Sequence, residues 1–526
     1  WTFPSLWCKM HQTGAECVWH ACLKGKLMQT QQEDHNLKRA TLLPLRENHV
    51  FSWRLIAVLS LMGCIAIEVL FNLLPIDHNT FLLFWFFPVS LLLASQLYFG
   101  LRVTRYFEIK LLLLFLVWGC VTVVLNYGRA QLVDSFGWFA SICTAVFLCF
   151  ALPYAFEKTS ARRVLTLLMA VTLLAAVILS VLSLIAVFAK DIAAKAPSIF
   201  EGIFIGEGRL SIDTHPNRSA PAPALGVILA GILLADVKKT WQRILIVLLG
   251  IICFIPLSLT GSRTAILGAA LALAFEGALT LRHTLKGRIH TALRVCVSLT
   301  IAAIVAVGFF YASAITQQTT NTLLVRQEAA LVVQQAAENT VEQPQATPVQ
   351  TTESEAAAIE PAACEEVITR DFSDADSFNG RTDIWSGVWN GLLENPKILL
   401  FGTGPMMASK VMSPYFPPNS PIGLFHNSLV GALVAYGAPG LLLALVLLLV
   451  VALAALRVCF GKKTDQPLVV KILPAVLLFA VAEGMMEDFL FTSVSLNIVW
   501  IWFLIAAGFV LRLDKKEDVT QETEKA

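Results

Sequence analysis

Residues 243–281 read RILIVLLGIICFIPLSLTGSRTAILGAALALAFEGALTL. This stretch contains two apolar runs, 243–259 and 264–281, and each is about as long as a helix that crosses the hydrocarbon core of a bilayer. Only the sequence TGSR at 260–263 separates them, so there is almost no loop between the two runs. The stretch therefore predicts two consecutive membrane helices joined by a tight turn, with Arg263 at the start of the second helix.

The same apolar character extends over most of the chain. Of the 526 residues, 56% are hydrophobic and only 14% are charged, and the mean hydropathy is +0.70. These values are typical of a protein that crosses a membrane many times and exclude an ordinary soluble domain. We therefore predict an all-α integral membrane protein with about twelve transmembrane helices. The apolar runs that predict them are 53–75, 80–100, 110–126, 136–156, 164–189, 222–236, 243–259, 264–281, 291–311, 427–456, 468–487 and 492–512.

The run at 427–456 is longer than the others, and GAPG at 437–440 interrupts it. Proline removes a backbone donor from a helix, so the interruption predicts two separate helical parts. We expect an interfacial helix before it and a membrane span after it.

The basic residues indicate which side of the membrane each loop occupies. They concentrate in alternate loops, whereas the loops near 76–79, 260–263 and 488–491 hold almost none beyond Arg263. Because cytoplasmic loops carry the excess of lysine and arginine, we predict that both chain termini are cytoplasmic. The residues on that side include Arg102, Arg105, Lys110, Lys158, Arg162, Arg163, Lys238, Lys239, Arg243, Arg282, Lys286, Arg288, Arg294, Arg457, Lys462, Lys463, Arg512, Lys515 and Lys516.

This topology divides the chain into five parts. They are a cytoplasmic segment at 1–50, membrane helices one to nine at 51–311, an outer loop at 312–425, membrane helices ten to twelve at 426–512 and a cytoplasmic tail at 513–526. Within the outer loop, about 317–368 is rich in Gln, Thr, Glu and Ala, which predicts a disordered or loosely helical insertion. The ordered part of the loop, with short helices, is expected to begin near Asp371.

Four cationic or ionisable residues fall on the predicted outer face, against the charge bias of the chain. They are Arg209, Arg263, Arg381 and His426. Binding an anion is the simplest reason for this placement, since a guanidinium is always charged and binds two oxygens of a diphosphate at once. Other interpretations stay open: Arg209 in a plain helix-entry turn, Arg263 reaching lipid headgroups, and His426 capping a helix through Asn427.

Short polar motifs accompany these residues. Arg209 precedes THPN at 214–217, in which a proline sets a turn and Asn217 can bond neighbouring backbone. Arg381 lies in GRTDIW at 380–385, and the N–H groups at the start of the predicted helix favour an anion. The apolar residues at helical spacing that predict this helix are Trp385, Val388, Trp389 and Leu392.

The remaining candidates lie near the end of the chain. Gly402-Thr403-Gly404 would let backbone approach a ligand closely, and His426 suits a general base because the charge of histidine changes near neutral pH. Ionisable groups at the end of the run 468–487 are costly unless paired. We therefore expect its carboxylates to hold the arginines in place, with a catalytic carboxylate as the alternative. These carboxylates are Glu483, Glu487 and Asp488.

In their order along the chain, these motifs resemble the O-antigen ligase and polymerase superfamily. The set is Arg209 with HPN at 215–217, SLTGSR ending at Arg263, GRTDIW at 380–385, FGTGP at 401–405, and HNSL at 426–429 with GAPG at 437–440. The resemblance covers about residues 205–505. The long insertion departs from the compact loop usual in the family, so the spacing between Arg263 and Arg381 adds no support.

The resemblance implies a membrane glycosyltransferase with a GT-C-like fold that acts outside the cytoplasmic membrane. Its donor would be a glycan on undecaprenyl diphosphate, and its acceptor a glycolipid, another glycan or a wall polymer. Arg263 and Arg381, supported by Arg209, would bind the diphosphate and stabilise the leaving group, while His426 would accept or orient the proton of the acceptor hydroxyl. The substrate-binding residues would further include His215, Asn217, Gly402, Gly404 and Asn427.

The resemblance also implies no cofactor, no nucleotide sugar and no metal. The eleven cysteines contain no CxxC pair, and Lys and Arg form no patch that would indicate a nucleic-acid partner. Ligase and polymerase both remain open, because one cationic site serves either. A glycolipid transporter is a third possibility, although we find no inverted repeat or paired broken helices and expect no charged residue near the middle of a span.

Overall fold

The computed structural model describes residues 107–126, 158–200, 203–206, 209–212, 216–285, 290–341, 380–405, 407–417, 425–460, 474–487 and 490–491, and these are mostly helical. The helices are α1 (Phe107–Leu125), α2 (Lys158–Phe188), α3 (Lys190–Ala194), α4 (Pro197–Phe200), α5 (Pro216–Ser219), α6 (Pro221–Asp236), α7 (Thr240–Thr260), α8 (Arg263–Thr284), α9 (Thr291–Val341), α10 (Arg381–Glu394), α11 (Pro396–Phe401), α12 (Ala408–Met412), α13 (Ser428–Phe460) and α14 (Pro474–Gly484). A 3₁₀ turn covers Ser413–Tyr415, and the two strands are β1 (Ile203–Gly206) and β2 (Arg209–Ile212).

Five helices in the described part of the chain are long and apolar enough to cross a membrane, so the protein is of the multi-pass type. The candidate spans are Thr166–Phe188, Thr240–Thr260, Arg263–Thr284, Ala292–Gln327 and Ser428–Leu453, and α1, α6 and α14 contain shorter apolar stretches. Each coincides with a predicted run. The runs predicted at 53–75, 80–100, 136–156 and 492–512 lie outside the described residues, and the total of twelve stays a prediction.

Helix α8 lies at the centre of the packing and contacts α6, α9 and α14. Its buried face consists largely of small residues, including Ala265, Ala269 and Ala272. At Gly268 a Cβ atom would lie only 2.9 Å from the ring of Phe479 on α14. Small residues let membrane helices approach closely and gain dispersion energy where no hydrophobic effect acts between them.

A short antiparallel hairpin departs from the all-α expectation. Its register pairs Ile203 with Ile212 and Gly206 with Arg209. The strands pack on α2, α5 and α7, and the buried Leu210 joins an apolar cluster with Leu259. The hairpin thereby holds Arg209 against the end of α7.

The helix α9 continues far beyond the predicted span at 291–311. It has 51 residues, so residues 317–341 are helical, which is one of the two alternatives predicted for this part of the insertion. Their Leu, Ala, Gln and Glu content favours helix, and the first proline after them is Pro344. The rest of the predicted insertion, 342–368, lies outside the described residues.

One expectation about the spans is wrong, because Glu276 lies inside α8 and is only 5% exposed. One of its carboxylate oxygens lies on Gly231 of α6, where any Cβ atom would collide with it. Transporters commonly carry ionisable residues inside their spans, so the spans described here do not speak against a transporter.

The predicted interruption of α13 is present, with Gly437 in a non-helical conformation at φ 69° and ψ −176°. Pro439 has no N–H, so the carbonyl of Ala435 loses its normal helical donor. Donors from outside the helix replace the missing ones. The N–H groups of Thr403 and Gly404 donate to the carbonyls of Val434 and Ala435, both at 2.9 Å.

Helix α1 completes this arrangement. The indole N–H of Trp118 donates to the carbonyl of Tyr436 at 2.7 Å, and the amide of Asn126 donates to the carbonyl of Gly402 at 3.1 Å. Gly402 has φ 70° and ψ −175°, almost the conformation of Gly437 opposite it. Buried backbone groups need partners, and here each break in the chain supplies them to the other.

We predict that Gly402→Ala and Gly437→Ala each destabilise the protein. Both glycines lie in a region of φ and ψ that almost only glycine adopts, and the backbone strain of another residue there is about 1–3 kcal/mol. A Cβ at Gly402 would also lie 2.7 Å from the backbone N of Gly437. Thermal unfolding in detergent measures the effect, with Gly308→Ala in α9 as control because no atom lies within 4 Å of its Cβ position. Equal stability of the three variants would contradict the close contact.

Candidate active site

The candidate site is built around the carboxylate of Glu487, three residues beyond the end of α14. Its Oε1 accepts hydrogen bonds from the Arg381 guanidinium at 2.9 Å and from the Asn217 amide at 2.8 Å. Its Oε2 lies 3.3 Å from Nδ1 of His426. The Glu487 side chain is only 12% exposed. One nearly buried carboxylate therefore joins three segments that are far apart in the sequence.

Arg381 reaches this carboxylate because it is the first residue of α10. Gly380 precedes it with φ 75°, a left-handed conformation that glycine adopts without strain. The helix buries Ile384, Val388 and Leu392, which lie four residues apart on one face. Trp389, which belongs to the same helical spacing, is 53% exposed. The packing of this face fixes the position of the helix, and its first residue, Arg381, contacts Glu487.

Arg209 belongs to the same network through Asn217. Its Nη2 donates to Oδ1 of Asn217 at 3.0 Å, and Asn217 in turn donates to Glu487. Its Nε donates to the carbonyl of Thr260 at 2.7 Å, at the C-terminal end of α7. The Arg209 guanidinium is thus held between Asn217 and the turn that leads to α8.

His426 has a strained backbone, with φ 48°, and is the one non-glycine residue in the left-handed region among those described. Such strain persists only where the surroundings impose it, and it is frequent at functional sites. The indole N–H of Trp385 donates to the carbonyl of Phe425 at 2.8 Å. On the other side, Ser428 Oγ donates to the carbonyl of Glu487 at 2.7 Å. These bonds fix the residues on both sides of the imidazole.

The neighbours of Glu487 determine its charge. Burial raises its pKa, but the hydrogen bond and charge of His426, the Arg381 guanidinium and the Asn217 amide outweigh burial and lower the pKa below its ordinary value. The carboxylate is therefore ionised at neutral pH. It supplies the negative charge that holds Arg381 and that lies beside the His426 ring.

Arg263 begins α8 directly after the turn that Arg209 contacts. The turn uses Gly261 in a left-handed conformation, with φ 58°. Ser262 at the N-cap is 1% exposed, and its hydroxyl makes no hydrogen bond in the described part of the chain. A side-chain cap would normally satisfy the first N–H groups of the helix. The start of α8 therefore has donors that suit an anion.

Several predicted site residues have structural roles. Gly402 packs closely on the backbone of α13, and the N–H of Gly404 donates to the carbonyl of Ala435, although no atom lies within 4 Å of the Cβ position of Gly404. Asn427 is the N-cap of α13, since its Oδ1 accepts the N–H groups of Leu429 and Val430. His215 and Asp488 lie outside the described residues.

Glu483 differs from the expectation that it pairs with an arginine. It is 0% exposed, and neither carboxylate oxygen has a hydrogen-bond partner within the described residues. Of the carboxylates at the end of α14, Glu487 holds Arg381 as predicted, whereas Glu483 is buried beneath it without a bond.

Sequence reasoning missed Ser262 and Ser428 as parts of the site. Each is a polar residue at the first turn of an apolar helix, which was the available signal. No group of three or more His, Cys, Asp or Glu side chains with the arrangement of a metal site occurs in the described part of the chain.

Residues 244–445 match the family model described as O-antigen ligase. The match contains Arg263, Arg381 and His426, whereas Arg209 and Glu487 lie outside it. A search of curated proteins finds no match. The predicted resemblance is therefore confirmed over this stretch. Members of the O-antigen ligase family are glycosyl-transferring membrane enzymes of the ligase or polymerase type. Such enzymes act on lipid-linked glycans.

We predict that Glu487→Gln destabilises the protein by about 3–5 kcal/mol at neutral pH, because it leaves the nearly buried Arg381 guanidinium without its carboxylate. The loss of unfolding free energy relative to the wild type should be complete above the ordinary glutamate pKa of about 4.3. It should disappear as the pH falls through the lower pKa of Glu487 in the folded state. Unfolding in detergent across this pH range measures it.

The matched control is Glu394→Gln. Glu394 is exposed at the end of α10 and accepts a hydrogen bond from the Tyr415 hydroxyl. Its variant should lose less than about 1 kcal/mol. Equal losses for both variants would argue against the central role of Glu487.

Proposed function

We propose that this protein transfers a glycan from an undecaprenyl-diphosphate-linked donor to a hydroxyl group of an acceptor on the outer face of the cytoplasmic membrane. The observation that carries the proposal is the Glu487 carboxylate, which holds a guanidinium at 2.9 Å and an imidazole at 3.3 Å. The site thereby places a group that binds anions beside a group that moves protons. Glycan transfer from a lipid diphosphate needs both.

In this proposal the diphosphate binds between Arg381, Arg209 and Arg263. Arg209 is bonded to the end of α7, and Arg263 begins α8, so both lie at one turn. The hydroxyl of Ser262 and the first N–H groups of α8 add neutral donors. Each charge-assisted hydrogen bond contributes on the order of 1.5–3 kcal/mol. Two or three guanidiniums are then sufficient to hold the diphosphate and stabilise it as a leaving group.

His426 would act as the general base. Its Nδ1 faces Glu487, which leaves Nε2 to accept the proton of the acceptor hydroxyl. The hydroxyl oxygen then forms a bond to the anomeric carbon of the donor glycan, and the bond from this carbon to the diphosphate oxygen breaks. Undecaprenyl diphosphate leaves with its negative charge, and the proton stays on His426 until it passes to water. Glu487 stabilises the imidazolium in the meantime, as the carboxylate of a catalytic triad does.

The proposal includes an arrangement in the membrane. We infer a GT-C-like fold with about twelve transmembrane helices, residues 1–50 and 513–526 in the cytoplasm, and the loop at 312–425 outside. The loop charges support this orientation. We expect no requirement for a nucleotide sugar, a cofactor or a metal, because the donor is already activated by its diphosphate.

We predict that His426→Ala lowers kcat by about 10²–10⁴-fold, the usual contribution of a general base. Arg381→Lys should raise the KM for the donor by about tenfold or more, because a lysine loses the two-oxygen geometry of the guanidinium. The measurement is glycan transfer by the purified enzyme in vesicles, with folding checked by size-exclusion chromatography.

The matched controls are exposed residues of the same types. Arg326→Lys on α9 and His283→Ala at the end of α8 should keep wild-type rates, since both side chains are exposed. Wild-type transfer by the His426→Ala variant would remove His426 from the mechanism and reject the site assignment.

A reconstituted assay with undecaprenyl-diphosphate glycan and EDTA tests the function itself. We expect release of undecaprenyl diphosphate that depends on Arg381 and His426. A single transferred glycan would identify a ligase, and a ladder of products would identify a polymerase. If the glycolipid stayed intact but crossed the bilayer, the protein would be a transporter and the proposal would fail.

A further inference from the structure

Glu483 lies on the last turn of α14, one helical turn before Glu487. The backbone N–H of Glu487 donates to the Glu483 carbonyl at 2.8 Å, which confirms the one-turn spacing. The side chain is 0% exposed, and neither of its oxygens has a hydrogen-bond partner in the described part of the chain. The site thus contains two carboxyl groups in contrasting surroundings, because Glu487 accepts bonds from three side chains.

Two physical terms oppose an ionised Glu483. A fully buried carboxylate loses the hydration that stabilises its charge in water, and at Glu483 no hydrogen bond from the described residues replaces it. The Glu487 carboxylate one turn away adds like-charge repulsion. The Arg381 guanidinium favours the ionised form of Glu483, but it donates its hydrogen bond of 2.9 Å to Glu487. Burial and repulsion therefore both favour the neutral acid form of Glu483.

We propose that Glu483 is a positioning residue that stays a neutral carboxylic acid and keeps the Glu483–Glu487 pair at a single negative charge. The arginines then exceed the carboxylates in charge and keep a positive excess for the donor diphosphate. An ionised Glu483 would compete with the diphosphate for Arg381. This inference rests on the proposed function, since it concerns the binding of its anionic donor.

The charged groups around Glu483 come from several elements. Glu487 follows on the same segment, Arg381 begins α10, and His426 lies two residues before the start of α13. Helix α8, which packs on α14, begins with Arg263, and Arg209 is connected to Glu487 through Asn217. Only Glu487 among these is acidic, so the protonation of Glu483 decides whether one or two negative charges face the cations.

Infrared spectroscopy of the resting wild-type protein tests the protonation directly. The carbonyl band of a protonated carboxylic acid should decrease in Glu483→Gln and stay unchanged in the control Glu394→Gln. The difference between wild type and variant isolates Glu483 from the other buried acid, Glu276. Loss of a carboxylate band instead would overturn the proposal. Glu483→Met, also neutral and of similar size, provides the same comparison if the amide variant does not fold.

Donor kinetics test the consequence. At neutral pH, Glu483→Gln should keep kcat and the donor KM within about threefold of the wild type, because one neutral group replaces another. At any alkaline pH where the acid band disappears, the donor KM should rise in the wild type and not in Glu483→Gln. A rise in donor KM of more than about tenfold for Glu483→Gln at neutral pH would show that the ionised form is needed.

The two measurements separate the inference from the function on which it rests. If the protein transferred no glycan, the infrared result on the resting protein would still be obtained. If transfer occurred but no acid band belonged to Glu483, the function would stand and the charge-setting role of Glu483 would fall.

Discussion

A nearly buried carboxylate must find cationic or donor partners, and the site depends on how Glu487 satisfies this constraint. Its oxygens make hydrogen-bond contacts with Asn217, Arg381 and His426, three residues that come from distant parts of the chain. None of these contacts is local, so the helices α10, α13 and α14 must be packed correctly before the cluster forms. Conversely, removing the carboxylate would leave positive charge in a place where water cannot compensate for it. The same ion pair therefore positions the functional groups and ties together the elements that carry them.

A second constraint, the interrupted helix α13, fixes where these groups stand. The break at Gly437 lets α13 accept backbone hydrogen bonds from Thr403 and Gly404, directly after α11. Because α10 leads into α11 within two residues, this pairing sets the position of α10 relative to α13. Arg381 begins the former helix and His426 precedes the latter. An interruption that is costly for an isolated helix thus fixes the position of Arg381 relative to His426.

The sequence was sufficient for features that depend on local pattern. Length and apolar content predicted the helices, and polar residues at the ends of apolar runs drew attention to Arg381, His426 and Glu487. Features that depend on distant contacts could not be predicted. Glycine at 402 is compatible with a ligand or with another backbone, and only the fold shows that Gly437 lies opposite it. Asn427 could bind substrate or cap a helix. The end of α9 stayed open between a loose helix and a disordered tether, because a composition poor in aromatic residues suits both.

The geometry of Glu487 divides the site into two halves. Its Oε1 is directed to Arg381 and to the Asn217 amide that also holds Arg209, whereas its Oε2 is directed to His426. In the proposed reaction the first half binds the diphosphate and the second half removes a proton, so the two oxygens of one side chain serve different steps. A donor that draws Arg381 towards its phosphate oxygens would weaken the ion pair between the Arg381 guanidinium and this carboxylate. The charge of Glu487 is then shared with fewer cations, so in the proposed reaction one carboxylate couples the binding of the donor to the removal of the proton.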